Sequence, residues 1–208
     1  MGAGAPVFVS AVLLAAGASR RMRGADKLLE TVAGEAQIRR AARALLGSRA
    51  AEVVVVLRPD DAARRDALSG LGVRIVENRL AAEGMGASIR AGMAALAPEA
   101  DAALIALADM PEIGAEDIDA LIAGFAPDDG REIVRAAGPD GAPGNPVLFG
   151  RRFFAPLRAL TGDAGARALI AANADLTELI PLQGAAARID LDTPEDWAAW
   201  RARRPAAG

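Results

Sequence analysis

The sequence predicts an α/β protein three layers deep, with helices on both faces of a mostly parallel sheet. Three observations carry this. Apolar runs of strand length recur at 7–14, 52–57, 73–76 and 102–107. They are continuously apolar rather than alternating, as strands covered on both faces must be. Segments with helical spacing stand between them, at 36–46, 60–68 and 86–96. Strand and helix alternating at this interval make repeated βαβ units, and so a parallel, Rossmann-like sheet.

The second half is less regular. Residues 116–125 carry helical spacing, and 132–136 and 146–149 read as strands about the turn-rich GPDGAPGN. Two short helices, 151–160 and 163–171, meet at Thr161-Gly162. Further strands are predicted at 176–182 and 188–191. A closing helix over 193–203 has Thr193 as its N-cap, Pro194 at the first helical position and acids in the first turn. No repeat and no dividing linker interrupts the chain, so a single domain over 7–204 is expected, with a frayed tail after Arg204.

At 208 residues, 52% apolar and 25% charged, the chain has the composition of a globular protein with an ample core. A net charge of −3 argues against general binding to nucleic acid or an anionic membrane surface. The absence of cysteine and histidine excludes thiolate metal sites, Ser–His and Cys–His nucleophile pairs, and imidazole acid–base chemistry. What remains is carboxylates, arginine, lysine, backbone groups and metals held by oxygen. No apolar segment approaches the roughly 20 residues that span a bilayer. MGAGAPV lacks the features of a signal peptide, so a cytoplasmic location is expected.

Chemistry concentrates first in LLAAGASRRMRGADK, residues 13–27. A loop just past the carboxyl end of the first parallel strand is where open α/β sheets place ligands. Leu14 ends the strand; Ala15, Ala16, Gly17, Ala18 and Ser19 keep side chains small, so backbone N–H groups can approach a polyphosphate. Arg20, Arg21, Arg23 and Lys27 supply countercharge. Lys27 is the only lysine; every other one of the 24 basic residues is arginine. The spacing is neither a Walker A loop nor G-x-G-x-x-G. A solvated arginine-rich loop would look the same.

The second concentration is Asp109, in Leu107-Ala108-Asp109-Met110-Pro111. An acid at the end of a buried strand beside the first loop can hold Mg²⁺ against nucleotide phosphates, or only hydrogen-bond a turn. The third is Asp190-Leu191-Asp192-Thr193-Pro194-Glu195-Asp196, where alternation puts Asp190 and Asp192 on one side, toward a shared cation. Helix capping explains its second half. Gly84 and Ser88, in a glycine-bearing helix start, could contact a phosphate or base. Gly144, Asn145 and Pro146 form either a substrate loop or a tight strand connection.

Taken in order, these motifs resemble the MobA-like nucleotidyltransferase family, in its branch handling the molybdenum cofactor. The segment 14–22 with Lys27 is similar to the family's L-A-[AG]-G-x-S-x-R-M-…-K loop, and 107–111 to its L-A-D-M-P strand end. Residues 84–92 resemble G-M-x-x-S-[LI]-x-x-G, 162–167 resemble G-D-x-G-A-R, and 190–196 resemble D-[IVL]-D-T-P-E-D. The resemblance implies a sheet of the nucleotide-diphospho-sugar transferase type. It implies CMP transfer from CTP, or transfer from another NTP, to the terminal phosphate of molybdopterin cofactor. Mg²⁺ would be held by Asp109 with Asp190 or Asp192. Arg20, Lys27 and Asp109 would be catalytic; 14–20, Lys27, Gly84 and Ser88 would bind nucleotide; Gly144, Asn145 and Pro146 would bind the acceptor. A molybdenum hydroxylase is the partner this implies.

One departure stands out: members carry G-H-P-V where this chain has Gly144-Asn145-Pro146-Val147. The Ala15-Ala16-Gly17 form resembles the cytidine-using branch, guanine users tending to Ala-Gly-Gly. Two other readings stay open: a sugar- or polyol-phosphate acceptor, and a non-catalytic accessory protein that binds the cofactor.

Overall fold

The computed structural model describes residues 7–163 and 165–203. Ala164, the segment 1–6 and the tail expected to fray after Arg204 lie outside these. Three runs of branched and small apolar residues lie side by side at the centre: β1 (Val9–Leu14), β4 (Glu52–Leu57) and β6 (Ala102–Leu107). β1 pairs in parallel with both neighbours, so that Leu14 stands opposite Val56 and Leu107. β5 (Arg74–Glu77) extends the sheet beyond β4. On the other side β8 (Pro143–Gly150) runs antiparallel to β6, followed by β7 (Ile133–Ala137) and then β9 (Thr177–Pro181), parallel to β7. The order β5-β4-β1-β6-β8-β7-β9 leaves β8 as the only reversed strand of this sheet.

Both faces are covered, as the continuous apolar runs require. Val9, Ala11 and Leu13 of β1 face α1 (Gln37–Leu46) and α4 (Ala115–Gly124), burying Ile38, Leu45, Ile118 and Leu121. Val12 and Ala16 face the opposite layer, where α3 (Met85–Ala94) and α5 (Phe154–Arg158) bring Ile89, Met93 and Leu157. α3 lies close: a Cβ on Gly92 would stand 2.3 Å from Val12 Cγ1.

The helix expected over 163–171 is confined to Arg167–Ala171, and two further segments differ from the sequence expectation. Residues 188–191 form no strand, because the N–H groups of Arg188 and Ile189 turn back to Ala185 O, and that of Leu191 goes to Asp109 O. A small hairpin, β2 (Thr31–Val32) with β3 (Glu35–Ala36), precedes α1 without an apolar run long enough to announce it. The remaining helices are α2 (Ala62–Ala67), α6 (Arg167–Ala171) and α7 (Pro194–Ala202). Met22, Val32, Leu191, Trp197 and Trp200 form a satellite core that fastens α7 to the hairpin and to the loop after β1.

That loop is held from beneath by Arg64 of α2, whose side chain is wholly buried. Its Nη1 donates to Ala15 O at 2.6 Å, and its Nε and Nη2 donate to Asp26 Oδ2 and Oδ1 at 2.7 and 2.8 Å. Ser19 Oγ, which receives Nη2 at 3.2 Å, itself donates to Asp26 Oδ1. A planar fork therefore ties the first residue of the loop to its far end, a geometry lysine could not reproduce. Burial alone would push the Asp26 carboxyl up. The Arg64 bonds and charge, with the N–H of Leu28 and the Ser19 hydroxyl, outweigh it and hold the group below its ordinary 3.8.

Removing the fork leaves a carboxylate and a carbonyl with a poor partner, a loss of about 3 kcal/mol for a broken buried pair. Arg64→Met is expected to lower the melting temperature by roughly 6–12 °C for a chain of this size. Because Asp26 is depressed in the folded state, its contribution is complete above the ordinary value and disappears as pH falls through the folded one. The gap between wild type and Arg64→Met in thermal melts should therefore be constant at neutral pH and narrow on acidification below about 3.8. A gap independent of pH would contradict the Asp26 pairing.

Candidate active site

β1 is the strand from which the sheet winds outward in both directions, toward β4 on one side and β6 on the other. At such a switch point the loops after neighbouring strands diverge and leave a crevice beyond their carboxyl ends. The loop 15–27 rises from β1 and the segment 108–111 from β6, so Ala15–Lys27 and Asp109 are brought together by strand pairing alone.

The loop is built to keep donors free. Ala15 N–H continues the sheet to Val56 O, but among the described residues the N–H groups of Ala16, Gly17, Ala18 and Ser19 have no backbone acceptor. Ser19 then takes the left-handed conformation at φ 49°, opening a single 3₁₀ turn over Arg20–Met22 that buries Met22 in the satellite core. Gly17 is exposed, with no atom within 4 Å of where a Cβ would sit. Four consecutive small residues with unused N–H groups are a nest for an anion.

The same loop ends at Lys27, in a cluster of opposite charges. Lys27 Nζ donates to Asp109 Oδ2 at 2.5 Å and to Asp192 Oδ1 at 2.6 Å, with all three side chains largely buried. Arg21 Nη2 reaches Asp192 Oδ2 at 2.5 Å, and Arg23 pairs with Glu195 at 2.7 Å across the surface. Burial alone would push the Lys27 ammonium down, but the charges and hydrogen bonds of Asp109 and Asp192 hold it above the usual lysine value. The bond from Leu191 N–H to Asp109 O (3.3 Å) brings the 190–192 segment alongside. Asp192 is fixed further by the α7 cap, where Thr193 Oγ1 accepts from Asp196 N–H and Asp196 Oδ2 accepts from Thr193 N–H. Capping thus accounts for Thr193 and Asp196, while Asp192 turns to Lys27.

Asp190 joins the cluster electrostatically. Partial desolvation, and then the charges of Asp109 and Asp192, push its carboxyl above the ordinary aspartate value. Crowded acids of this kind suit a divalent cation, and the donor set is wholly carboxylate oxygen, as hard cations prefer. A buried oxygen, Asp109 Oδ1, has no hydrogen-bond partner. Among the described residues no three acids already converge as a metal cluster; Lys27 stands between two of them. The residues fit such an ion, with the lysine occupying the space between the acids.

The other expected residues are placed as follows. Arg20 is exposed and makes no ion pair among the described residues. Ser88 is buried, its hydroxyl accepting from Asn78 Nδ2 at 3.1 Å. Gly84 (φ 108°) lies against Asp163, and the N–H of Gly86, the second residue of α3, donates to Gly162 O. Gly144, Asn145 and Pro146 lie in β8; Asn145 N–H donates to Ala187 O, and Gly144 is pressed so closely on Ala187 that a Cβ would meet its carbonyl oxygen at 2.0 Å. Arg64 and Asp26 were not legible as site-builders, since Ala62–Ala67 reads as an exposed polar helix. The i,i+3 pair Asp61–Arg64 is its sole mark.

Comparison with known proteins identifies the family and the fold. The chain is 32% identical over 193 residues to nicotine blue oxidoreductase of Paenarthrobacter nicotinovorans, covering 90% of this chain and 93% of that one. It is 30% identical over 199 residues to the purine catabolism protein PucB of Bacillus subtilis, at 91% and 94% coverage. Among solved structures, a Mycobacterium tuberculosis H37Rv protein superposes with a TM-score of 0.81 at 23% identity, covering 94% of this chain and 98% of that one. A structure of that protein in complex with manganese gives 0.77 at 22%, with 95% and 100% coverage. A nucleotidyl transferase from Methanothermobacter gives 0.78 at 23%, with 94% and 96% coverage. The MobA-like NTP transferase domain profile matches residues 11–177, from within β1 to the start of β9, and the chain belongs to that family.

Proposed function

We propose that the protein is a cytoplasmic nucleotidyltransferase that moves CMP from CTP to the terminal phosphate of a molybdopterin-type cofactor, releasing pyrophosphate. The observation that carries this reading is the row of unused N–H groups at 16–19 on the loop that ends in the Lys27–Asp109–Asp192 cluster at the switch point. A terminal phosphate oxygen of the acceptor attacks the α-phosphorus of CTP in line. The bond between that phosphorus and the bridging oxygen breaks, and pyrophosphate leaves with the electron pair. A phosphate nucleophile is already ionised near neutral pH, so a chain without histidine lacks nothing for this step. Catalysis is then positioning and charge neutralisation.

The nest at 16–19, at the end of the segment Leu14–Ser19, cradles the phosphates. Arg20, exposed and without an ion pair among the described residues, is available to them, and Lys27 offsets charge on the departing pyrophosphate. Gly84 and Ser88 support the nucleotide from the α3 side, and Gly144, Asn145 and Pro146 border the acceptor. Asp109 with Asp190 or Asp192 would hold Mg²⁺, which when bound polarises phosphoryl oxygens and neutralises their charge; a related fold is known with manganese. Ala16, buried at the base of the loop, limits the room for a base. The recipient of the finished cofactor would be a molybdenum hydroxylase. One relative bears the name of an oxidoreductase, but the loop after β1 lacks the G-x-G-x-x-G that grips a dinucleotide.

The direct test is pyrophosphate release with each of the four NTPs, with and without molybdopterin cofactor, in Mg²⁺ or Mn²⁺. Release is expected with CTP only when acceptor is present; release with sugar or polyol phosphates instead would reassign the acceptor, and binding of cofactor without turnover would make this an accessory protein. EDTA should abolish turnover and either cation restore it. Asp109→Ala should remove activity, and Lys27→Met should lower kcat by about 100-fold, the scale for losing one preorganised electrostatic group. Wild-type turnover by Asp109→Ala would sink the assignment of that carboxylate. Gly17→Ala separates binding from folding: a Cβ at this exposed position meets no protein atom within 4 Å, so stability should change by less than ~0.5 kcal/mol. CTP affinity, measured by calorimetry, should fall at least tenfold.

A further inference from the structure

Beside the acid cluster the molecule holds a cavity of about 150 Å³ whose walls have two different characters. Its floor is apolar: Ile89 from α3, Ile105 and Leu107 from β6, and Val147 and Phe149 from β8. Its charged lining comes from Arg135 of β7, Arg167 at the start of α6, and Asp163, which lies against Gly84 just before α3. Leu107 lies two residues before Asp109, and Asn145 lines the same space, so the cavity adjoins the region where the acceptor would enter.

The arginines are the unusual feature. Elsewhere in this chain arginines repeatedly pair with acids, among them Arg21, Arg23, Arg64, Arg65, Arg74 and Arg201. Arg135 spends only its Nε, donating to Gly144 O at 2.8 Å. Among the described residues neither Arg135 nor Arg167 forms an ion pair, with Asp163 or any other acid. Arg135 is partly buried. Burial, and then the like charge of Arg167, push its guanidinium below the usual arginine value. Two neighbouring cations, one of them partly desolvated and neither compensated, cost stability that an anion between them would return. The bond to Gly144 O also links the pair to the segment already assigned to the acceptor.

We propose that this cavity is the acceptor subsite, and that Arg135 and Arg167 grip a phosphate or carboxylate on an acceptor whose body is a flat, largely apolar ring system. The inference rests on the nucleotidyl-transfer reading for the word acceptor, but the pocket's ligand class follows from its own walls. Asp163, the one carboxylate in the lining, accepts hydrogen bonds from ring N–H or hydroxyl groups. A phosphate held by the arginines is itself the nucleophile, kept ionised by two cations. A carboxylate so held is a handle, with the reacting phosphate elsewhere on the acceptor.

Phenyl phosphate and benzoate are the probes, with inorganic phosphate as the control that lacks a ring. Titrated into isotopically labelled protein and followed by NMR, at least one aromatic acid should shift resonances of Ile89, Ile105, Val147 and Arg135, and bind at least tenfold more tightly than inorganic phosphate. Tighter phenyl phosphate assigns the nucleophile to the arginine pair; tighter benzoate assigns a handle. Arg167→Met, at an exposed position, should weaken that probe at least fivefold, and Arg135→Met with Arg167→Met at least twentyfold. CTP affinity in the presence of Mg²⁺ should stay within twofold in both. The proposal is overturned by absence of probe binding, by binding that survives loss of Arg167, or by probe shifts confined to 15–19 and abolished by CTP. CTP binding to the wild type is read in the same samples: if it fails, nucleotidyl transfer falls while the cavity's ligand class is still judged by the probes.

Discussion

The ammonium of Lys27, held between Asp109 and Asp192, is the contact on which the site depends. It joins parts of the chain separated by 82 and 165 positions, each delivered by a different device. Asp109 arrives because β6 pairs with β1 and ends where β1 ends. Lys27 arrives because Arg64 pins Asp26, its neighbour in the chain, from below. Asp192 arrives because the α7 cap and the Leu191–Asp109 backbone bond fix the residue just before the helix. An ammonium can satisfy two carboxylates in this way because it is a compact charge with donors in several directions. A guanidinium in the same place would impose its planar fork. That is a physical reason for one lysine in a chain that otherwise uses arginine.

The charges divide between the two sides of the crevice. On the loop side four small residues offer N–H groups and no side-chain bulk, with Arg20 and Arg21 above them. On the strand side acids are crowded closely enough to raise Asp190. A polyphosphate is attracted to the first and repelled by the second, while a divalent cation has the reverse preference. Only the two together balance the site, and Lys27 already partly does so for the acids alone. On the proposed function, this charge placement would favour a metal–nucleotide complex over either component, an electrostatic coupling that does not require motion of the fold.

Much of this was legible in the sequence, and the reasons differ by element. The parallel strands were readable because burial on both faces leaves continuous apolar runs. The loop after β1 was readable because its small residues and lone lysine depart from the surrounding composition. Asp109 was readable from its place at a strand end. The 188–191 segment was misread as a strand because Ile189 and Leu191 alternate with acids, a pattern that also suits an extended connection whose N–H groups go elsewhere. Arg64 could not be read at all. Its burial is a product of tertiary packing, and a polar helix bearing Asp61, Arg64 and Arg65 gives no sign of which charge turns inward. Arg135 was hidden for a similar reason, as one cation within an otherwise apolar strand.

Family membership settles less about substrate than about the loop. Relatives of this chain at similar identity carry the names of an oxidoreductase and of a purine catabolism protein, so the acceptor side of the scaffold is where divergence is to be sought. This chain's own departures lie there. Asn145 replaces the ring nitrogen expected at that position with an amide, and it lines the same cavity as Arg135 and Arg167. An amide keeps a donor and an acceptor but cannot titrate near neutral pH, whereas a histidine beside two uncompensated arginines would be driven toward its neutral form. With Asn145 the charged groups in the cavity's lining are the two arginines and Asp163. On the proposed function, the phosphate grip lies on one side of the crevice and a separately variable pocket on the other, so that acceptor choice would change in that pocket without disturbing the lysine that holds the site together.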